Sequence, residues 1–439
     1  MNAEFRRNLW LELSTHRLVA MPVALALLLA LVHAMSDDRW ESVAATSAWI
    51  AAAFLGVWGV RSAAESVGDE MRARTWDAQR MSALGPWEMT WGKLVGSAAF
   101  AWYGGLISLV ALLATAPASW KHSGLKVAAL IVAASVLGQA CAGLAGLTAA
   151  RKGHSRGGAG VWFLVLLVVL AGPAVGLVST MEAGVKWWGG TYDPVSFTLA
   201  SAACFAAWAV LGFYRAMCTE LQVRTTPWAY AAFNVFLTAY LAGFWRLSGA
   251  ESAGGWNALL VCGLLVTSTL TYVQIYSEPT GVIVFRRVQV MFDRGELRRA
   301  LEESPCWPVS FALAAIASAL IALLLDARWA EGHPLHGLSV AAIPAFFLLA
   351  RDVAMFLVFA FARQPRRVEA TAIFYMVLLY GIVPGLLHAA DMPGLADLVL
   401  PPVFTSPGKA TVVAAAQALI AAGLVIWRWR RCRRAESQT

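Results

Sequence analysis

Apolar and polar residues along this chain are sorted into long blocks rather than alternating within single turns. Apolar stretches of about 18 residues or more recur from one end to the other, separated by short polar connections. A helix of about 20 residues crosses the hydrocarbon core of a bilayer, and a helix satisfies its own backbone there. The pattern predicts twelve spans, over residues 18–35, 43–60, 94–116, 125–150, 159–180, 198–217, 228–245, 256–276, 308–326, 338–362, 371–390 and 410–427. The first follows the charged leader FRRNLWLELSTHR and has no small-residue cleavage site after it, so it reads as a retained span.

Composition sharpens the class. At 59% hydrophobic and 14% charged residues, no water-soluble domain could hide this much apolar surface. The predicted fold is an all-α polytopic membrane protein. Basic residues then fix its orientation: with both termini cytoplasmic, 26 of the 34 Lys and Arg fall on the cytoplasmic side and 7 outside. The net charge of +8 follows from this asymmetry and calls for no nucleic-acid partner. The six cysteines are scattered without CxxC spacing and read as small apolar filler.

Short motifs recur along the chain at offsets of 208 to 219 residues. Glu12-Leu13 with Arg17 returns as Glu220-Leu221 with Arg224, Ala150-Arg151 as Ala362-Arg363, Pro173 as Pro384, Pro86 as Pro305, and Pro194 as Pro402. Five near-equal offsets in the same order predict two parallel six-helix repeats, residues 1–217 and 218–439, related by an axis along the membrane normal.

Two polar segments are longer than span connections in compact transporters need to be. Residues 61–93, RSAAESVGDEMRARTWDAQRMSALGPWEMTWGK, hold charges that must lie outside hydrocarbon. Residues 278–307, EPTGVIVFRRVQVMFDRGELRRALEESPCW, are their counterpart in the second half. Each fits either a docking element or a solvated loop that binds nothing. Ahead of the first span, Phe5, Leu9 and Leu13 recur at i, i+4 and i+8, with Trp10 beside them and Arg6, Arg7 and Glu12 on the polar side. That is one apolar stripe suited to lying in the membrane interface. Glu220 marks the corresponding place ahead of the seventh span.

The order Glu70, Thr75-Trp76-Asp77, a helical stretch to Leu84, Gly85-Pro86-Trp87 and Gly92-Lys93 resembles the cytoplasmic coupling segment of type-2 ABC export permeases. Asn8 through Leu13 resembles an eroded form of the opening motif of the same family. The match is partial: Arg74 stands where the family usually has Gly, Arg80-Met81 where it often has Leu-Leu, and 278–307 lacks the Thr-plus-Leu signature. The resemblance implies the membrane subunit of an ATP-driven exporter in a bacterial cytoplasmic membrane, with both permease halves fused in one chain. It implies two separate ABC ATPase subunits, which bind ATP and Mg, and leaves room for further transporter subunits. Glu70, Arg74, Thr75, Trp76, Leu84, Pro86 and Trp87 would couple to one ATPase, and Arg286, Arg287, Pro305 and Trp307 to the other.

A different class of protein, the twelve-span secondary transporter of the major facilitator type, would share two parallel six-span repeats. Its Gly-rich basic loop between spans 2 and 3 and its long central loop are missing here. A third reading is a non-transporting membrane protein, such as an assembly factor or a lipid-modifying enzyme. The sequence has no GxxxxGK[ST] motif, and no HExxH, GxSxG or paired-carboxylate cluster lies within a predicted span, so no enzyme active site is expected and ATP hydrolysis would belong to the partner. His333 and His336 have metal-ligand spacing but no third ligand nearby. Arg351-Asp352 is the intramembrane ion pair; at that depth charges mark function, whereas a turn or two from the inner interface they equally serve structure. Trp187 to Tyr192 fits an interfacial aromatic belt or a re-entrant outer gate. Spans rich in Ala, Gly, Val and Trp suit a lipid, a hydrophobic peptide or an antibiotic equally well.

Overall fold

A computed structural model of the chain describes residues 2–82, 84–117, 121–151, 184–244, 255–278, 281–324, 340–362 and 368–436. The protein is an all-α polytopic membrane protein. Among the described residues, nine helices are long and apolar enough to cross a bilayer, and a bent pair of helices makes up to ten. The span expected at 159–180, the basic residues Lys152 and Arg156, and the His333–His336 pair lie outside the described residues.

The chain divides into two compact units, Met1–Val185 with Thr191–Thr225, and Lys186–Gly190 with Thr226–Thr439. The break foreseen at residue 217 falls inside a helix that runs on to Glu220. Helix propensity is continuous there, and the chain turns only at Gln222, whose φ is 56°.

The first unit opens with α1 (Ala3–Glu12), started by Asn2, whose side chain accepts the backbone N–H of Glu4 at 3.0 Å. Next come α2 (Thr15–Met35) and a 34-residue helix made of α3 (Arg39–Ala52), a π-helical turn (Ala53–Trp58) and α4 (Gly59–Arg72). The short α5 (Trp76–Arg80) leads to α6 (Pro86–Trp91), whose start is set by Pro86 and by Glu88 reaching back to the Gly85 N–H at 3.2 Å. A second π-helical turn, Gly92–Gly96, then joins α7 (Ala99–Thr115) at a bend of 58°. The helices α8 (Lys121–Arg151) and α9 (Pro194–Glu220) complete the unit. Between them in sequence come the three-residue strands β1 (Val185–Trp187) and β2 (Gly190–Tyr192), a stretch in which Lys186–Gly190 belong to the second unit.

Small residues let these helices approach closely, as expected where lipid supplies no hydrophobic drive between helices. A Cβ at Gly146 of α8 would lie 2.3 Å from the Ala64 carbonyl of α4, and one at Gly105 of α7 would lie 2.4 Å from the Leu55 side chain. By contrast α2 buries only Met21 and Leu25 and presents Leu27, Leu28 and Leu31 outward, as a lipid-facing helix does. The π-helical turn at 53–58 has its own partner: Gln139 of α8 donates to the Leu55 carbonyl at 2.9 Å and accepts from the Trp102 indole at 3.0 Å. A π-turn breaks the regular i to i−4 ladder, and this amide takes up a carbonyl within the break.

The second unit runs through α10 (Trp228–Ala242), α11 (Gly255–Ser277), α12 (Val282–Asp293), α13 (Leu297–Glu303) and α14 (Trp307–Leu324). It continues with α15 (Ala342–Ala360), α16 (Val368–Val377), a π-helical turn (Leu378–Ile382), α17 (Val383–Ala389), α18 (Pro393–Val399) and α19 (Pro407–Glu436). Its core joins Val261 and Ile275 of α11, Trp307 and Ile321 of α14, and Leu349 and Phe356 of α15. At 15 residues α10 is about 22 Å long, shorter than a straight crossing needs. Trp187 and Trp188 finish it: their indole N–H groups donate to the carbonyls of Tyr240 (3.0 Å) and Ala239 (3.2 Å). The backbone N–H of Trp188 adds a bond to Gly243 at 2.9 Å. These indoles therefore cap a helix end, which neither a free interfacial belt nor a gate requires.

Candidate functional site

The densest buried polar cluster of the first unit lies where α1, the end of α4, α5 and the Gly92–Gly96 turn meet. Its members are Glu4, Arg7 and Asn8 of α1, Glu70 of α4, Trp76 and Gln79 of α5, and Lys93. Local structure brings each one in. Glu70 sits just before the end of α4, where its carbonyl accepts from the Thr75 backbone at 3.0 Å. The chain reverses through Arg74, whose φ of 56° lies in the left-handed region, and so α5 folds back along α4. Gln79 thereby reaches Glu70 Oε1 at 2.8 Å.

Lys93 is delivered by the second π-turn and is only 1% exposed. Its ammonium pairs with Glu70, lies 3.6 Å from Glu4 Oε1, and sits 5.1 Å from the centre of the Trp76 ring. Arg7 pairs with Glu70 as well and with Glu4 at 2.8 Å. Asn8 closes the cluster by donating to the Gly92 carbonyl at 3.0 Å and to Glu4 Oε1 at 3.3 Å. Contact this close needs glycine: a Cβ at Gly92 would lie 2.4 Å from Glu4 Cγ, and one at Gly96 would lie 3.0 Å from Asn8 Cβ.

Two acids thus face two bases. A buried ion pair adds little net stability, yet removing one partner leaves a costly unpaired charge. What the cluster supplies is a fixed joint. The N-terminal helix, the α4–α5 turn and the entry to the third span are held by the same carboxylates. Among the described residues no three His, Cys, Asp or Glu side chains are grouped to hold a metal ion.

Of the residues singled out in the sequence, the structure brings Glu70 and Trp76 into this joint. Thr75 hydrogen-bonds the Glu70 carbonyl from an exposed position, and Arg74 is exposed. Leu84 and Pro86 are half-buried; Trp87 packs edge-on against Trp91 and Tyr214, at 5.6 and 5.4 Å. On α1 the buried residues are Glu4 and Asn8, while Phe5, Leu9 and Glu12 are half-buried and Trp10 is 81% exposed. The apolar stripe proposed for the membrane interface is therefore the less buried side of α1. Its polar side is inward because matching charges wait there. Glu220 does not open a helix of the second unit: it ends α9 in the first, where its carbonyl accepts Arg80 Nε at 3.1 Å.

In the second unit Arg287 is exposed and lies 3.5 Å from Glu303, Arg286 and Pro305 are half-buried, and Trp307 is buried in the core beside Phe285 and Phe311. Trp307 therefore has no face to offer a partner. Glu278, 208 residues after Glu70, accepts the Cys306 backbone N–H at 2.7 Å, so each unit has an acid tying the end of one span to the approach of the next.

Arg351 and Asp352 are the central residues of α15, with Arg351 nine residues, about 14 Å, from either end of the helix. They lie deeper than a turn or two from an end. Asp352 accepts from Arg351 Nε at 2.9 Å and from the hydroxyls of Tyr272 (2.7 Å) and Tyr380 (2.6 Å). Arg351 donates to Gln417 Oε1 at 2.7 Å and stacks 4.9 Å over the Tyr380 ring.

In comparisons with protein families, with characterised proteins and with solved structures, nothing matches this chain.

Proposed function

We propose that this chain is the membrane subunit of an ATP-driven exporter, similar in its coupling segment to type-2 ABC permeases, and that a separate ATPase docks on α5. The observation that carries this reading is the Glu4–Arg7–Glu70–Lys93 joint. A transmission element must be stiff on its inner side and available on its outer side. On α5, Trp76 and Gln79 are buried in the joint, while Asp77, Ala78 and Met81 just beyond its end face outward, Met81 at 82% exposure. A push on that face reaches the third span and α1 together. ATP and Mg belong to the partner, two copies of which would serve the two halves. The termini and both docking segments would lie on the cytoplasmic side of a bacterial inner membrane.

The test is to purify the tagged chain gently from its native membrane and count co-purifying ATPases, with Met81→Glu beside the wild type. Two P-loop ATPases per wild-type chain, and their loss from a well-folded Met81→Glu protein, would support the reading. A lone, stable wild-type chain would overturn it. The second reading is a gradient-driven secondary transporter, favoured by the mid-span Arg351–Asp352 pair. Transport abolished by dissipating the proton or sodium gradient, with no ATPase attached, would select it.

A further inference from the structure

The Arg351–Asp352 pair lies at the centre of a bilayer-crossing helix, 4% and 2% exposed, and the joint of the first unit does not involve it. Charges at that depth cost several kcal/mol and usually belong to a binding or transport path. Three further observations point the same way. Its partners come from three other elements: Tyr272 from α11, Tyr380 from the Leu378–Ile382 turn and Gln417 from α19. That turn is π-helical, an irregularity that collects at functional sites. A cleft of about 530 Å3 also opens between α18 and α19, lined by Asp397, Leu398, Lys409, Val412 and Val413 among others.

The cleft and the pair are connected. Lys409, Val412, Val413 and Gln417 stand at i, i+3, i+4 and i+8, one face of α19. Lys409 is about 12 Å along the helix from Gln417. Leu398 lines the cleft, and its carbonyl accepts the Gln417 amide; the Val399 carbonyl accepts the same amide at 3.2 Å. The other end of that carboxamide holds Arg351. Gln417 is therefore bonded both to the backbone of the cleft wall and to the guanidinium, and its carboxamide would have to turn for a ligand in the cleft to reach Arg351.

We propose that this cleft binds an acidic amphiphile, with its carboxylate or phosphate head group received by Arg351 and its apolar chain along Val412 and Val413. The order of charges gives the sign. From the rim inward a ligand passes Lys409, then the amide, then Arg351, while Asp352 is occupied on its other side by two tyrosine hydroxyls. Asp397 at the rim is the single acid among the residues of the cleft wall named above. With the site empty, Asp352 neutralises Arg351; a bound acid shares the guanidinium with it. The shared chemistry suits either a resident acidic lipid of the bilayer or an acidic cargo. It does not depend on ATPase docking.

The experiment uses the full chain in phosphatidylcholine nanodiscs, titrated with the fluorescent polyene cis-parinaric acid and with its methyl ester. The acid is expected to bind saturably, and the ester about tenfold more weakly or worse. Val413→Trp, which fills the cleft without touching the ion pair, is expected to abolish binding, and Lys409→Gln to weaken it several-fold. The double variant R351Q/D352N removes both charges together and is expected to lose the preference for acid over ester. Equal binding of acid and ester, or full affinity in Val413→Trp, overturns the proposal. Mass spectrometry of the purified chain separates the sources. An acidic phospholipid that parinaric acid displaces, and that Val413→Trp lacks, identifies a resident lipid; parinaric acid binding to a chain that carries no lipid identifies a cargo site.

Discussion

Asn8 donates its side-chain amide to the main-chain carbonyl of Gly92 at 3.0 Å, and the bare α-carbon of that glycine lies against Glu4 one turn earlier in α1. Glycine in a helix interior ordinarily costs about 1 kcal/mol relative to alanine, so Gly→Ala should stabilise wherever there is room. At Gly68 of α4 nothing lies within 4 Å of the missing Cβ, and Gly68→Ala is expected to raise the thermal midpoint. At Gly92 the added methyl meets Glu4, and Gly92→Ala is expected to lower it. Midpoints that move in the same direction for both variants would refute the close approach.

The Glu70–Lys93 pair makes a sharper demand. Removing either charge alone leaves the two-acid, two-base cluster with one buried charge in excess, at a cost of up to about 3–5 kcal/mol. Glu70→Gln and Lys93→Met are each expected to lose this much in reversible unfolding, and the double variant to recover a large part of it. If the double variant is as unstable as the sum of the singles, the two residues do not share an environment.

Arg74 occupies a left-handed conformation at φ 56° with its side chain exposed. A residue with a Cβ pays about 1–2 kcal/mol there, and glycine is free of this strain. Arg74→Gly is therefore expected to stabilise the chain by about 1 kcal/mol despite removing a charge, read as a rise in the unfolding midpoint. A destabilised variant would mean that the arginine side chain holds something the backbone geometry does not reveal.

Asp193 starts α9, accepting from the Ser196 N–H at 3.0 Å, the Ser196 hydroxyl at 2.7 Å and Lys126 at 3.2 Å. The Ser196 hydrogen bonds first, and Lys126 after them, hold its carboxyl below the ordinary value. Because the folded value is depressed, its contribution is present above the unfolded value of about 3.9 and disappears as pH falls through the folded one. The stability gap between wild type and Asp193→Ala is expected to be open at pH 7 and to narrow as the medium is acidified below pH 4. A gap independent of pH would contradict the capping role.

The class and most spans were legible because twenty apolar residues in a row have few other uses. Glu70 and Trp76 stood out because they lie in a charged segment between two apolar spans, but that pattern gave no sign that they turn inward to a shared ion cluster. Glu4, Arg7, Asn8 and Gln79 did not stand out, since amphipathic reasoning turns a charged face toward water and cannot see that complementary charges, about 60 to 90 residues on, will cover it. Lys93 was counted as a charge at the membrane border, but its place at the centre of the joint depends on a π-turn that leaves no mark in the hydrophobic pattern. The depth of Arg351 was obscured for a related reason: apolarity fades gradually along the chain, whereas the helix ends at definite residues.

The joint also dictates an order of assembly. Glu70 follows Arg7 by 63 residues, and the Gly92 carbonyl follows Asn8 by 84. During synthesis α1 is made long before anything exists for it to grip, and its exposed Trp10 side is what it can rest on the bilayer meanwhile. Only when the third span has entered the membrane do the lysine and the two glycines arrive to draw its polar side in. The helix is thus fixed late, and a nascent chain stopped short of residue 93 would hold it in the joint by one ion pair, Arg7–Glu70.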